Sequence, residues 1–354
     1  MNNKPWSDKI RKIEPYVPGE QPQIKDIIKL NTNENPYPPS PRVKKIIEEM
    51  DIDKLRLYPS FKFDSLKEVL CGIYGVGKEE MYIGNGSDEV LALCFAAFFN
   101  SDKPILMADI TYSFYDVWSE FFNVKYEKIP LNDKFEINKE DYYKENGGVI
   151  IANPNAPTSI YMGLDDIEDI VKHNESSIVI VDEAYIDFGG KSAVGLTKKY
   201  DNLVVVQTFS KSRSLAGIRI GYAMANKELI DVLEAVKNSF NSYTVSAFSQ
   251  AAAAECAADI EYFDECRKKI MKTREWTITE LDKLGFKTLP SMTNFIFTKN
   301  DNIEAKKLFE YLRSKKIIVR YFDKERINEY LRITIGTDEE MGKLIEAIKE
   351  YQGE

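Results

Sequence analysis

Between residues 80 and 210 the chain repeats one pattern. A short apolar run ends in a polar or glycine-bearing turn and is followed by an amphipathic stretch. MYIG (Met81–Gly84) leads into NGSDEVLALCFAAFF, and PILMAD (Pro104–Asp109) into ITYSFYDVWSEFF. GVIIAN (Gly148–Asn153) leads into PNAPTS and then LDDIEDIVKHN, and SIVIVDEAY (Ser177–Tyr185) and NLVVV (Asn202–Val206) follow. Such runs, rich in β-branched side chains and alternating with helical patterns, predict an α/β large domain with a mainly parallel or mixed sheet flanked by helices. Ligands in sheets of this kind bind beyond the carboxyl ends of the strands, which makes the residue after each run a candidate.

After about residue 285 the pattern changes. GFKTLPSMTNFIFTKN predicts two short strands, IEAKKLFEYLRSKK an amphipathic helix, and IIVRYF and LRITIGT one strand each. DEEMGKLIEAIKEY predicts a last helix capped by Thr337. The expected division is an N-terminal arm belonging partly to the small domain (1–40), a large cofactor-binding domain (41–284) and a small α+β domain (285–354), with the charged segment 255–284 as connector.

Composition removes whole classes of chemistry. The net charge is −9, with no long basic run, so nucleic acid is not an expected partner. His173, in the polar stretch KHNES, is the only histidine, so a Ser-His-Asp triad or a multi-histidine metal site would have to rest on that one residue and is not expected. The four cysteines form no C-x-x-C pair and are expected to be reduced. MNNKPWSDKIRK lacks the apolar core of a secretory signal, and the longest apolar run, Val90–Phe99, falls short of the roughly 20 residues that span a bilayer. A cytoplasmic chain without membrane contact is expected.

The strand ends carry what remains. GNGSDE (Gly84–Glu89) opens a helix with glycines and Ser87, which suits either an ordinary capped helix or an anion site at a helix N-terminus. It matches neither G-x-x-x-x-G-K-[ST] nor G-x-G-x-x-G, and GGKS at 189–192 lacks the first glycine of a phosphate loop. Tyr112 is either a packing residue or a ring that lies over a flat ligand. Asp182 ends an unusually apolar strand, where a carboxylate either accepts backbone amides or serves a ligand. Arg332 sits in an alternating strand and suits a surface ion pair or an anionic ligand. In TFSKSRSLAGIRIGY (Thr208–Tyr222), Lys211 lies among hydroxyls and Arg219 follows eight residues later. A lysine alone says nothing, since most lysines simply face solvent.

Together these groups match the needs of pyridoxal phosphate. Its phosphate takes helix N–H groups, hydroxyls and an arginine, and its ring takes an aromatic face. Its ring nitrogen takes a carboxylate, and its aldehyde takes a lysine.

From nearly end to end the chain resembles the fold-type I aminotransferases, and within them the histidinol-phosphate aminotransferases. The motifs that carry the resemblance are LNTNENPYP (Leu30–Pro38), LYP (Leu57–Pro59), GNGSDE, TY (Thr111–Tyr112), NPNAPTS (Asn153–Ser159), VDEAYIDF, TFSKSRSLAGIRIGY and LRITIGT. The resemblance implies a cofactor, pyridoxal 5′-phosphate, and catalytic roles for Lys211, Asp182 and Tyr185. Lys211 would bind the aldehyde and move protons, Asp182 would pair with the ring nitrogen, and Tyr185 would donate to the ring 3-oxygen. Tyr112 would stack on the ring. Ser87, Asp88 (through its backbone N–H), Ser210 and Arg219 would surround the phosphate. Tyr58 would reach the phosphate held by a neighbouring subunit, which implies a homodimer with shared sites. Tyr16, Arg320 and Arg332 would hold substrate anions.

The resemblance also implies transfer of an amino group between a small amino donor and a 2-oxo acid. The expected reaction is L-histidinol phosphate with 2-oxoglutarate, giving imidazole-acetol phosphate and glutamate. The alternatives are an aromatic or broad-range aminotransferase, a phosphothreonine decarboxylase on the same fold, or a binding protein without catalysis. One segment departs from the family's pattern: Ala156 takes an asparagine position and Ser159 a glycine position. Asn155, one residue early, is the candidate for the second contact to the 3-oxygen. The fixed φ of Pro157 favours the other outcome, Tyr185 acting alone with a water.

Overall fold

The computed structural model describes residues 10–17, 19–22 and 25–353. An extended arm leads to a two-residue strand, β1 (Ile28–Lys29), and then to α1 (Pro41–Glu48). Ser40 caps α1 by accepting from the Arg42 N–H, and Pro41 stands at the first helical position, where no donor is missed. After α2 (Asp64–Tyr74) the repeating pattern folds as its periodicity requires. It gives β2 (Met81–Gly84), α3 (Gly86–Phe98), β3 (Ile105–Ala108), α4 (Phe114–Phe122), β4 (Tyr126–Ile129), β5 (Val149–Ala152), α5 (Leu164–His173), β6 (Val179–Asp182), β7 (Leu203–Thr208) and β8 (Gly221–Met224).

These seven strands form one sheet in the order β2-β8-β7-β6-β5-β3-β4, in which only β8 runs against the rest. Every residue of β5, β6 and β7 is buried, because helices cover both faces. Successive side chains serve two cores. Val179 and Val181 point to one, with Val149, Ile151, Leu203 and Val205. Ile180 points to the other, with Ile150, Val204 and Val206. Each such side chain contributes roughly 1.5–3 kcal/mol of burial, which fixes the register and hence what stands at each strand end.

α6 (Lys227–Phe240), α7 (Ala247–Ala258) and the long α8 (Ile260–Lys283) lead into the C-terminal unit. That unit contains β9 (Lys287–Thr288), β10 (Phe295–Lys299), α9 (Ala305–Ser314), β11 (Ile317–Ile318), β12 (Arg320–Tyr321), β13 (Leu331–Thr334) and α10 (Asp338–Gln352). Its antiparallel sheet has the order β12-β13-β10-β9. α10 starts with a capping box: the Glu340 N–H donates to Thr337 Oγ1, and the Thr337 N–H donates to the Glu340 carboxylate.

Two features differ from the pattern-based reading. IIVRYF, read as one strand, is split: β11 pairs parallel with β1 of the arm, while β12 pairs antiparallel with β13. And α8 is more than a connector, because its Ile270 and Leu281 are buried in the C-terminal core with Leu30, Ile296, Ile333 and Leu344. By packing, α8 goes with the C-terminal unit. Among the described residues no helix is long and apolar enough to cross a membrane.

Candidate active site

Five strand ends, the arm and the C-terminal sheet enclose a cavity of about 500 Å³. β2 delivers Ser87 and Asp88, β3 Thr111 and Tyr112, β5 Ala152 and Pro154, β6 Asp182 and β7 Ser210 and Lys211. From the arm come Tyr16 and Asn31 to Glu34, and from the C-terminal unit Arg320, Phe322 and Arg332.

At one end lies a cradle for an anion. Asn85 makes no side-chain cap to α3, so the first N–H groups of that helix have no capping side chain. Gly86 stands at φ +81°, and a Cβ there would lie 2.4 Å from Arg219 Nη2, so only glycine lets the arginine close over the helix start. Arg219 is itself left-handed (φ 59°), a strained conformation outside glycine, which aims its guanidinium at this point. Its Nη2 lies 3.2 Å from Asp88 Oδ2, and its Nη1 donates to the Ala216 carbonyl at 3.1 Å and lies 3.4 Å from Ser210 Oγ. Tyr112 donates to Asp88 Oδ1 at 3.1 Å and packs edge-on against Tyr115.

At the centre is Asp182, 5% exposed. Tyr115, fully buried on the first turn of α4, donates its hydroxyl to Oδ2 at 2.7 Å. The Ala184 N–H donates to Oδ1 at 3.2 Å. Burial pushes the carboxyl up to about 6; the Tyr115 and Ala184 hydrogen bonds oppose it, nearby Asp88 adds to it, and Lys211 opposes it. Lys211 Nζ donates to the Thr32 carbonyl at 3.3 Å and lies 5.7 Å from the centre of the Tyr185 ring. The Lys211 and Ser212 carbonyls accept from Asn35 Nδ2, so the arm fixes the lysine's backbone. Tyr185 packs edge-on against Phe295, and its oxygen accepts from Asn33 Nδ2 at 2.9 Å.

The far end is cationic. Arg332 donates to the Asn31 carbonyl at 2.9 Å, lies between the Phe295 and Phe322 rings, and has a buried Nε with no partner. Burial lowers its pKa. Arg320 stands over Phe322, and Tyr16 stacks on Phe114 with ring centres 4.4 Å apart. Burial raises the Tyr16 pKa, against the pull of Arg332 and Arg320.

Two sequence candidates do not meet at this cavity. Asn155 is turned away: its Nδ2 donates to the Ile110 carbonyl and to Thr158 Oγ1, and its Oδ1 accepts from Thr111. Its amide is thus engaged by Ile110, Thr111 and Thr158, while Ala156 lines the cavity with a methyl group. Tyr58 is 82% exposed and stacks on Tyr243 outside the cavity. Ser159, at the glycine position, has φ 67°; its Oγ donates to the Pro290 carbonyl at 3.0 Å and its carbonyl accepts from the Met292 N–H, tying this loop to the C-terminal unit. Sequence reasoning missed Tyr115 and Asn33. The signal for Tyr115 was its spacing, three residues after Tyr112 in TYSFYD; Asn33 lay unassigned within LNTNENPYP.

The residues present fit pyridoxal phosphate. An uncapped helix start with an arginine and a hydroxyl suits its phosphate, a buried carboxylate its ring nitrogen, and a lysine its aldehyde. Arg332, buried in the same cavity and with no partner for its Nε among the described residues, suits a further anion.

Comparison with known proteins places the chain. The family model described as aminotransferase class I and II matches residues 25–348. A histidinol-phosphate aminotransferase from Clostridium botulinum is 53% identical over 347 residues, 98% of each chain. The crystal structure of the histidinol-phosphate aminotransferase from Clostridium acetobutylicum superposes with a TM-score of 0.85 at 26% identity, covering 92% of this chain and 99% of that one. The enzyme of that name from Sinorhizobium meliloti, solved in complex with pyridoxal-5′-phosphate, shares the fold with a TM-score of 0.83 at 24% identity, covering 92% of this chain and 91% of that one. Fold, strand-end chemistry and kinship agree, and the chain belongs to the aminotransferase class I and II family.

Proposed function

We propose that the cavity binds pyridoxal 5′-phosphate and transfers the amino group of L-histidinol phosphate to 2-oxoglutarate, giving imidazole-acetol phosphate and glutamate. The observation that carries this reading is the convergence of Lys211, Asp182 and three arginines, Arg219, Arg320 and Arg332, on one cavity. The 53% identity to a histidinol-phosphate aminotransferase over almost the whole chain supports the substrate.

When bound, the cofactor supplies an aldehyde that takes up an amino group and a protonated ring that withdraws electrons from the substrate carbon. The chain's residues do the rest. The α3 start, with the Asp88 backbone N–H, and Ser87, Ser210 and Arg219 would hold the phosphate. Tyr112 would pack against the ring. Asp182, whose ionised form the Tyr115 and Ala184 hydrogen bonds favour against burial, would hold the proton on the ring nitrogen. Tyr185 would donate to the 3-oxygen. Lys211 would hold the aldehyde through Nζ and, when that amine is free, would take and return a proton at the substrate carbon. Arg332 and Arg320, with Tyr16, grip the substrate phosphate or, in the second half of the cycle, a carboxylate of the oxo acid.

The active form is a homodimer. Tyr58 and Phe61 pack on Tyr243, and these three aromatics, like Ile52, Leu55 and Leu57 just before them in the chain, are exposed, which suits a second copy of the chain. Tyr58 from that cluster serves the neighbour's phosphate. Mixing inactive Lys211→Ala chains with inactive Tyr58 variants should restore partial activity by subunit exchange; a strictly monomeric active protein would exclude it.

Two measurements test the whole reading. The purified protein with cofactor should show an absorbance band near ~420 nm that borohydride abolishes, because reduction traps the lysine adduct. A screen of amino donors against the band should single out histidinol phosphate and glutamate. A protein without the band, or one that answers only aromatic amino acids, would overturn it.

A further inference from the structure

With alanine at position 156, the resemblance leaves Tyr185 as the donor to the 3-oxygen, and a lone tyrosine can spend its proton elsewhere. The structure contains a device that prevents this. Asn33, 2% exposed, reaches Tyr185 from the arm and is held at every polar atom. Its N–H donates to Thr334 Oγ1 at 3.0 Å, its carbonyl accepts from Asn294 Nδ2 at 2.9 Å, its Oδ1 accepts from Thr334 Oγ1 at 3.0 Å, and its Nδ2 donates to Tyr185 Oη at 2.9 Å.

The orientation of the amide is decided by Thr334. Its hydroxyl already accepts from the Asn33 N–H, and Asn33 Oδ1 is the acceptor for its own proton. Turning the amide over would give that hydroxyl two donors and leave its proton without an acceptor in a site 2% exposed, a cost of about 1–3 kcal/mol. So the amide nitrogen faces Tyr185, and a tyrosine oxygen that accepts from an amide keeps its proton for another partner. The backbone of Asn33 is left-handed (φ 57°), a conformation that asparagine and aspartate adopt more readily than other side chains.

We propose that Asn33 is a positioning residue that commits the Tyr185 proton to the cofactor's 3-oxygen, and so makes good the donor missing at Ala156. The inference rests on the cofactor assignment above. A hydrogen bond to that oxygen draws its negative charge away from the neighbouring lysine-derived nitrogen and lets that nitrogen release its proton at lower pH. Loss of the bond therefore raises the pH midpoint of the bound cofactor's absorbance and loosens the cofactor.

The test is a pH titration of that absorbance in the holoenzyme, with cofactor dissociation measured separately on the apo protein. Asn33→Asp keeps the shape and the backbone preference but can only accept, so Tyr185 turns its proton to the carboxylate. The midpoint should rise by about one pH unit and cofactor affinity fall about tenfold, the size of one charge-assisted hydrogen bond. Tyr185→Phe should raise the midpoint too, and the double variant should go no higher than Tyr185→Phe alone. A new charge acting merely at a distance would add its shift in both backgrounds. Ala156→Asn in the Asn33→Asp chain should bring the midpoint back down. An unmoved midpoint in Asn33→Asp, or additive shifts in the double variant, overturns the proposal. If Asn33→Asp fails to fold, Thr334→Val asks the same question by freeing the amide to turn: its midpoint should rise, and an unmoved one overturns the proposal equally. A wild-type protein without the absorbance band sinks the cofactor assignment itself, whereas a normal band with silent variants sinks only the role of Asn33.

Discussion

Asp182 and Glu183 are chain neighbours at the end of one strand, both carboxylates and both buried, yet they belong to opposite faces of the sheet. Glu183 looks into the protein. It accepts from the Ala193 N–H at 2.6 Å, from Gln207 Nε2 at 2.8 Å and from the Ser192 hydroxyl, and Gln207 is held in turn by Tyr74 and Tyr222. Asp182 looks into the cavity with two protein donors. Burial raises both carboxyls, to about 6 for Asp182 and about 7 for Glu183. A shifted pKa therefore does not separate structure from function here. What separates them is unused accepting capacity: Glu183 is filled by its own fold, and Asp182 keeps room for a proton brought by a ligand.

The cavity face should give the largest effects. Lys211→Ala should fold and bind cofactor without the lysine adduct, and lose at least about 10³-fold in turnover, read by steady-state kinetics on protein shown to be folded. Near-normal turnover would mean that another amine does the work. Asp182→Asn should lose at least about 10²-fold in turnover, since an amide cannot hold the ring proton as a carboxylate does, while its unfolding midpoint in denaturant hardly moves.

Glu183→Gln should invert that pattern. Its amide meets donors already aimed at an acceptor, so stability should fall by about 1–3 kcal/mol while turnover of the folded fraction stays within a few-fold. The pH dependence sharpens the contrast. The folded carboxyl titrates near 7 against an ordinary 4.5, so the folded state holds an extra proton between those values. That contribution to stability is full below pH 4.5 and is lost as pH rises to 7, and the decline should be missing from Glu183→Gln when unfolding is followed across the window.

The smallest effect belongs to Tyr115→Phe. Without the hydroxyl the Asp182 carboxyl should rise further above 6, and the loss of cofactor affinity at acid pH should begin about one pH unit higher. Titrating apo protein with cofactor at a series of pH values decides it; an unmoved acid limb would make Tyr115 a packing residue only.

Much of this was legible in the chain because it is local. Period and composition placed β2, β3, β5, β6 and β7, and with them the residues after each strand; Thr337 announced α10 by its capping pattern. What escaped depends on partners far away in sequence. Alternation says which way side chains point and nothing about which strand lies alongside, so the change of sheet within IIVRYF could not be seen. Asn155 looked available because its identity suits the role, and only the folded loop shows its amide engaged with Ile110, Thr111 and Thr158. Tyr115 reads as one more aromatic of an apolar helix face until its hydroxyl is found on Asp182.

The pairing of β1 with β11, and of Asn33 with Thr334 across 301 residues, also orders events in time. At roughly 5–20 residues per second of synthesis, the arm emerges about a quarter of a minute to a minute before the segment it must join. All seven strands of the large sheet, with Lys211, Asp182 and Arg219, are complete long before then, yet Leu30 and Asn33 have nowhere to settle. The growing chain thus carries a nearly finished set of catalytic groups that stays unassembled until its last strands arrive. Activity becomes a property of the finished molecule, and an interrupted translation product is left with an unplaced arm that proteases can reach.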